Sequence, residues 1–371
     1  MLGLQKPKPA PLHSSRVTKR FQSLLVLSMI QSAGLSSLEV ASVQPATLNQ
    51  YVLILEKFNL YCLDHWMDWS TADQLDAALV AYMDYLFWHQ QPSALGSKIL
   101  AAVKFLIPQV SRLGSQGLPR ATRASVSWGM LMPGRQRLPL PWIALAAILG
   151  DMISTNGFIA ALILLVLFRT YMRPGTSDRL RVKQLIRPTF NIGSQYANWA
   201  FNLSPSEDAI PGKTGIFDDS IVYDTDMPWI HDFFHLLTFN RQPEELVWPI
   251  EVSAVLDLFN QSIANLKLES LQICRYSLRH GGASHDILSK HRTLIEVKRR
   301  GTWRSDNSLR RYGKEARVLD ELNKIDPRVL SFGARVSENL AEVFQGTMVC
   351  PPPDLTANIP AAPKKKRRLK I

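Results

Sequence analysis

The chain has 371 residues, more than one ordinary domain needs and enough for two, since about 100–200 residues make a domain. Its 43 Lys plus Arg exceed its 31 Asp plus Glu, and the formal charge of +12 points to a polyanionic partner: nucleic acid fits and an acidic small substrate fits poorly. With 46% hydrophobic and 20% charged residues the composition excludes a largely disordered basic chain, and Cys62, Cys274 and Cys350 are too far apart for a disulfide scaffold or a zinc site, which implies a reducing compartment.

Residues 1–44 read as a basic leader. No Asp or Glu precedes Glu39, and Lys6, Lys8, Arg16, Lys19 and Arg20 lie among serines as in an organelle transit peptide, although the Pro-rich stretch Lys6 to Leu12 departs from that pattern. Residues 45–131 form a helical unit. Thr47 with Gln50 predicts a capping box, after which Leu48, Val52, Leu55, Phe58 and Cys62 recur at helical spacing. Thr71 with Gln74 repeats the signal before Leu75, Leu79, Tyr82 and Leu86. A third stripe, Leu95, Ile99, Val103 and Leu106, stops at Pro108, and a fourth helix follows around 121–131, so the four make one compact bundle. Residues 132–140, broken by Pro, Gly and Arg, read as a linker.

A larger unit spans 141–330. Pro141 suits the first position of a helix, and helices are predicted at 142–154 and 157–170. The apolar run Phe158 to Phe168 is eleven residues long, whereas a bilayer core needs about 20, so it is a buried helix rather than a membrane span. Leu180 to Ile186, Ala197 to Leu203 and Ser220 to Tyr223 read as strands, with Lys213 in the polar hairpin loop 204–219. Helices are predicted again at 243–265, 277–289, 291–299 and 306–313. The expected fold class is mainly α with a small antiparallel β-sheet: a helical N-terminal domain followed by an α+β domain. Residues 331–371 read as a tail, in which Pro363 precedes six cations in seven residues. Lys364, Lys365, Lys366, Arg367 and Arg368 resemble a nuclear-import signal or a nucleic-acid tail, which implies the nucleus and an import receptor, with organelle targeting by the N-terminus as the alternative.

The sequence lacks a phosphate-binding Gly loop with Lys-Ser/Thr, His-Glu-x-x-His, Gly-x-Ser-x-Gly and any cysteine cluster. Three Arg-centred segments stand out instead: Phe168-Arg-Thr-Tyr-Met-Arg-Pro-Gly-Thr-Ser-Asp-Arg-Leu180, Cys274-Arg-Tyr-Ser-Leu-Arg-His-Gly-Gly-Ala-Ser-His285 and Lys298-Arg-Arg-Gly-Thr-Trp-Arg-Ser-Asp-Asn-Ser-Leu-Arg-Arg-Tyr312. His280 and His285, five apart, read as packing histidines rather than a metal pair.

In order and spacing these segments resemble the active-site boxes of tyrosine recombinases, the phage-integrase family, and their wording is similar to algal and retroelement recombinase-like genes. The resemblance covers about residues 45–316. It implies Arg173 and Arg279 as the two phosphate-binding arginines, Trp303 at the His/Trp position and Tyr312, nine residues on, as the nucleophile. It further implies a 3′-phosphotyrosyl intermediate, a homo-tetramer on paired sites of double-stranded DNA, and no metal or nucleotide cofactor. The two domains are expected to clamp the duplex. A phenol can store phosphodiester energy covalently, and guanidinium suits the charge that builds on the phosphate oxygens. A hairpin lysine would protonate the leaving 5′ oxygen. Lys213 is preferred and Lys183 is the alternative. Tyr276 stands where the family has His, and Thr176 where it commonly has an acid. A catalytically weakened or inactive recombinase-derived DNA-binding protein is therefore the second reading. Lys298, Arg299, Arg300, Arg304, Arg310 and Arg311 are expected to grip the DNA backbone or to form a solvated face.

Overall fold

The computed structural model describes residues 34–134, 138–193, 196–208, 215–224, 226–303, 305–306 and 315–356. Lys213, Arg304, Arg310, Arg311, Tyr312 and the C-terminal cations Lys364 to Arg368 lie outside the described residues, as do most of the basic leader and of the helix predicted at 306–313. The chain divides into two compact units, Met1–Gln136 and Arg137–Ile371, each with its own apolar core. The fold is mainly α with one small antiparallel sheet.

In the first unit an exposed turn of helix, α1 (Ser37–Ala41), precedes α2 (Pro45–Asp64), α3 (Ala72–Trp88), α4 (Ala94–Leu106) and α5 (Pro119–Leu131). The box expected at Thr47 and Gln50 does not cap α2, because Pro45, with φ already fixed for a helix, starts it earlier. Thr71 and Gln74 do cap α3: the Thr71 hydroxyl accepts from the Gln74 N–H at 3.3 Å, and Gln74 Oε1 accepts from the Thr71 N–H at 3.0 Å. Phe58, Leu79, Val103 and Trp128 bring α2 to α5 into one core. The buried carboxylate of Asp76 on α3 accepts from the N–H groups of Arg120 and Ala121 at 2.9 and 2.8 Å. It satisfies the first turn of α5, whose own N-cap, Leu118, has no side-chain acceptor.

The second unit is built around an apolar helix. It contains α6 (Trp142–Ser154), α7 (Phe158–Thr170), α8 (Pro174–Ser177), β1 (Leu185–Ile186), β2 (Ala200–Leu203), β3 (Asp219–Val222), α9 (Ile230–Thr238), α10 (Val252–Asn265), α11 (Arg275–Leu288), α12 (Leu294–Arg300), α13 (Glu315–Leu322), α14 (Pro327–Glu338) and α15 (Leu340–Phe344). Every residue of α7 from Ala160 to Thr170 is buried, which is why its sequence is apolar on all sides. α6, α10 and α11 pack on it. α11 comes close because it carries Gly282: a Cβ there would stand 1.8 Å from the Phe168 carbonyl oxygen. Among the described residues no helix is long and apolar enough to cross a membrane.

Three expectations change here. Residues 180–186 are mostly not strand: Val182–Gln184 is a 3-10 turn and β1 keeps only two residues. The chain there bonds to 243–247 instead, with Val182 N–H donating to Glu245 O at 2.9 Å and Val247 N–H to Leu180 O at 2.8 Å. That pairing, with Pro249 following, keeps 243–251 out of the predicted helix, which begins at Val252. The C-terminal residues from 331 on are not simply a tail. α14 lies along α6 with Val329, Phe332 and Val336 fully buried, and α15 adds Leu340, Val343 and Phe344 to the core.

The sheet has the order β1-β2-β3, antiparallel throughout, with Leu185 opposite Phe201 and Leu203 opposite Asp219. Phe201 and Ile221 face the core, and Phe201 meets Phe234 of α9 edge to face at 5.7 Å. The last β2–β3 pair, Leu203 with Asp219, brackets the hairpin loop in which Lys213 lies in sequence.

Candidate active site

Arg173 is delivered by the end of α7. The helix stops after Thr170 because Tyr171 takes a left-handed conformation, φ 52°, and the chain then runs extended through Arg173 into α8. The Arg173 carbonyl accepts from the N–H groups of Thr176 and Ser177 at 2.9 and 3.1 Å, which fixes the turn. Asp178 just beyond it pairs with Arg275 in the first turn of α11, so the loop of Arg173 is tied to the helix of Arg279.

Arg279 is 3% exposed. Its Nη1 donates to the Tyr171 carbonyl and its Nη2 to the Gly301 carbonyl, and its guanidinium lies 4.5 Å over the Trp303 ring. Gly301 allows the indole to fold back, since a Cβ there would come within 1.9 Å of the Trp303 ring. Asp219, at the head of β3, lies in the field of both Arg173 and Arg279. Burial pushes its carboxyl above the usual carboxylate range, and the two arginines act against that shift. The structure thus brings Arg173, Arg279, Trp303 and the hairpin end at Asp219 together. Tyr276 sits one turn before Arg279 on α11, its ring 5.3 Å from that of His280. A buried guanidinium, Arg279, and a half-buried one, Arg173, supply the planar donors that suit a phosphate with several acceptor oxygens.

The remaining candidates among the described residues fall elsewhere. Lys183 is held by Asp208 at 2.6 Å and Glu244 at 3.0 Å; those hydrogen bonds, Asp208 first, raise its ammonium above the ordinary lysine range. Lys298 pairs with Asp306 at 2.6 Å, and Arg299 is exposed. Arg300, expected to grip DNA, is instead turned into the protein. Its Nε donates to Arg169 O at 3.0 Å, its Nη1 to Val222 O at 2.8 Å and its Nη2 to Asp224 at 3.1 Å. The physical reason is the helix: consecutive side chains leave the axis about 100° apart, so three adjacent cations cannot share one face.

Arg300 belongs to a buried charge network that sequence patterning does not reveal. Asp224 accepts from Arg169, Arg292 and Arg300, Asp226 from Arg169, and Asp286 from Arg292 and the Tyr171 hydroxyl. Burial works against the charge of Arg169, but Asp226 and Asp224 more than offset it and hold the guanidinium above its usual range. The sequence signal is faint: acids and arginines scattered over the end of α7, the exit of β3 and the ends of α11 and α12. Among the described residues no three His, Cys, Asp or Glu side chains cluster to hold a metal ion. His285 packs between Trp142 and Phe168 at 5.8 and 5.9 Å, apart from the Tyr276–His280 pair.

No family model matches the sequence, and no curated protein does. Among the solved structures similar to the chain are two recombinases. One is the XerH site-specific recombinase bound to a palindromic difH substrate in a post-cleavage complex, at 16% identity over 81% of this chain and 87% of that chain, with a TM-score of 0.48. The other is the XerA recombinase, at 12% identity over 78% of this chain and 93% of that chain, with a TM-score of 0.32.

Proposed function

We propose that the protein is a DNA strand transferase of the tyrosine-recombinase kind, cutting and rejoining duplex DNA through a 3′-phosphotyrosyl intermediate. The observation that carries this reading is the meeting of segments far apart in sequence: Arg279 donates to the Tyr171 carbonyl two residues before Arg173, Arg275 pairs with Asp178 just after it, and Trp303 stacks on Arg279. In the reaction the Tyr312 oxygen attacks the scissile phosphorus, its proton passing to solvent, and the 5′ oxygen departs with its bonding pair. Lys213 gives that oxygen a proton. Charge on the non-bridging oxygens is met by the two guanidinium groups and the Trp303 N–H. A 5′-hydroxyl of a partner strand then attacks the phosphotyrosyl phosphorus and returns the phenol. Lys183 is less suited to the acid role because two carboxylates hold its proton. Tyr276, in place of an imidazole, supplies a hydrogen bond to the phosphate but no proton shuttle near neutral pH.

A homo-tetramer on paired sites and nuclear import through Lys364 to Arg368 belong to the same reading. The test is covalent capture of nicked duplexes from a random-sequence pool by the full chain. Wild type is expected to yield a protein–DNA adduct that Tyr312→Phe abolishes while duplex binding persists. An adduct that survives the substitution rejects the assignment. The second reading, a recombinase-derived protein that binds DNA without cutting it, is favoured by the two protein carbonyls that accept from Arg279 and by Tyr276. It predicts no adduct from wild type, and binding whose logarithm falls with log salt by about 0.9 per phosphate contacted.

A further inference from the structure

Tyr171 occupies a backbone conformation that a glycine takes freely and that a bulky side chain rarely adopts, φ 52°. A strained position is kept where the surrounding structure over-determines it, and here the side chain is fully buried and held at its far end. Its hydroxyl donates to Asp286, which also accepts from Arg292; its ring lies under the Arg300 guanidinium at 5.7 Å and 6.1 Å from the Trp303 ring. Ala283 and Val297 close the small apolar cluster around it. The same residue's carbonyl accepts from Nη1 of Arg279.

We propose that Tyr171 and Asp286 are positioning residues: Asp286 anchors the phenol of Tyr171, and the backbone carbonyl so fixed sets the plane of the Arg279 guanidinium for the phosphate. This rests on the strand-transfer reading for its catalytic consequence, though not for its geometry. The chain of contacts is continuous. Anchoring the ring fixes the Tyr171 Cα in its left-handed turn, the turn aims the carbonyl at Nη1, and Gly301 O with the Trp303 face holds the rest of the guanidinium. Tyr171 is not itself a nucleophile. It has no exposed surface, and burial together with Asp286 drives its phenol far above the ordinary range, so it stays protonated and donates.

The test is Tyr171→Phe, which keeps the ring and removes only the hydroxyl that anchors it. Adduct formation in single turnover is expected to fall roughly 10²-fold, as for a misplacement of about 1 Å, with duplex affinity unchanged. A crystal structure of the variant should show the Arg279 guanidinium shifted relative to wild type. Asp286→Asn, which keeps an acceptor for the phenol, is expected to retain most of the rate that Asp286→Ala loses. An unmoved Arg279 in Tyr171→Phe overturns the proposal, as does a moved Arg279 with an unchanged cleavage rate. If wild type forms no adduct, the strand-transfer reading falls and the position of Arg279 in the two crystal structures alone decides whether Tyr171 sets it.

Discussion

Asp224 is the side chain on which most of the second unit's buried charge depends, since three guanidinium groups share its two oxygens. Asp224→Asn leaves Arg169, Arg292 and Arg300 facing one another across a site of low dielectric. Removing one partner of a buried pair costs about 3–5 kcal/mol, and urea unfolding of the variant should show a loss of that order. His285 gives a pH dependence of known sign. Burial lowers its pKa below the unfolded value of about 6.5, so the unfolded chain binds more protons between the two values. Its contribution is complete above that unfolded value and is lost as pH falls through the lowered folded one. Melting temperature should therefore drop on acidification below about pH 6.5, and His285→Gln should remove that component. At this scale Arg173, Arg279 and Trp303 stood out in the sequence because each lies in a short Arg-centred segment. Tyr171, Asp219 and Asp286 were not, because their meaning depends on partners that sequence does not place beside them.

Helices and strands were readable to the extent that their own periodicity shaped them. α3, α4, α6 and α7 follow the sequence pattern closely, since a continuous apolar stripe at helical spacing leaves little choice. Residues 180–186 and 243–251 misled because each is apolar enough for a regular element, yet the two bond to each other. The close seat of α11 on α7 yields an element-scale prediction. Gly282→Ala would drive a methyl into the Phe168 carbonyl, a backbone atom that cannot swing aside. Overpacking of this kind costs about 1–3 kcal/mol, and α11 must back away, carrying Arg279 with it. Lower thermal stability and weaker adduct formation should appear together in this variant.

For the whole molecule, the second unit closes only when its C-terminal helices are in place. Val329, Phe332 and Val336 of α14 cover α6, and Gly333 lets the helices meet, as a Cβ there would stand 2.2 Å from the Ile143 carbonyl. A chain ending at Asp326 is expected to lose cooperative unfolding of the second unit and to aggregate, measured by circular dichroism and light scattering against the full chain. The first unit has a separate core, so its helical signal should survive that truncation.

By itself the sequence determined the helical periodicity, the net positive charge and the order and spacing of Arg173, Arg279, Trp303 and Tyr312, all of which are read along the chain without knowing what lies beside what. Only the tertiary structure decided that Arg300 faces inward, that Arg279 bonds to the Tyr171 carbonyl and that Tyr171 is anchored by Asp286. Backbone hydrogen bonding is local and leaves a period in the sequence. Pairing of buried charges is selected by proximity after folding and leaves none.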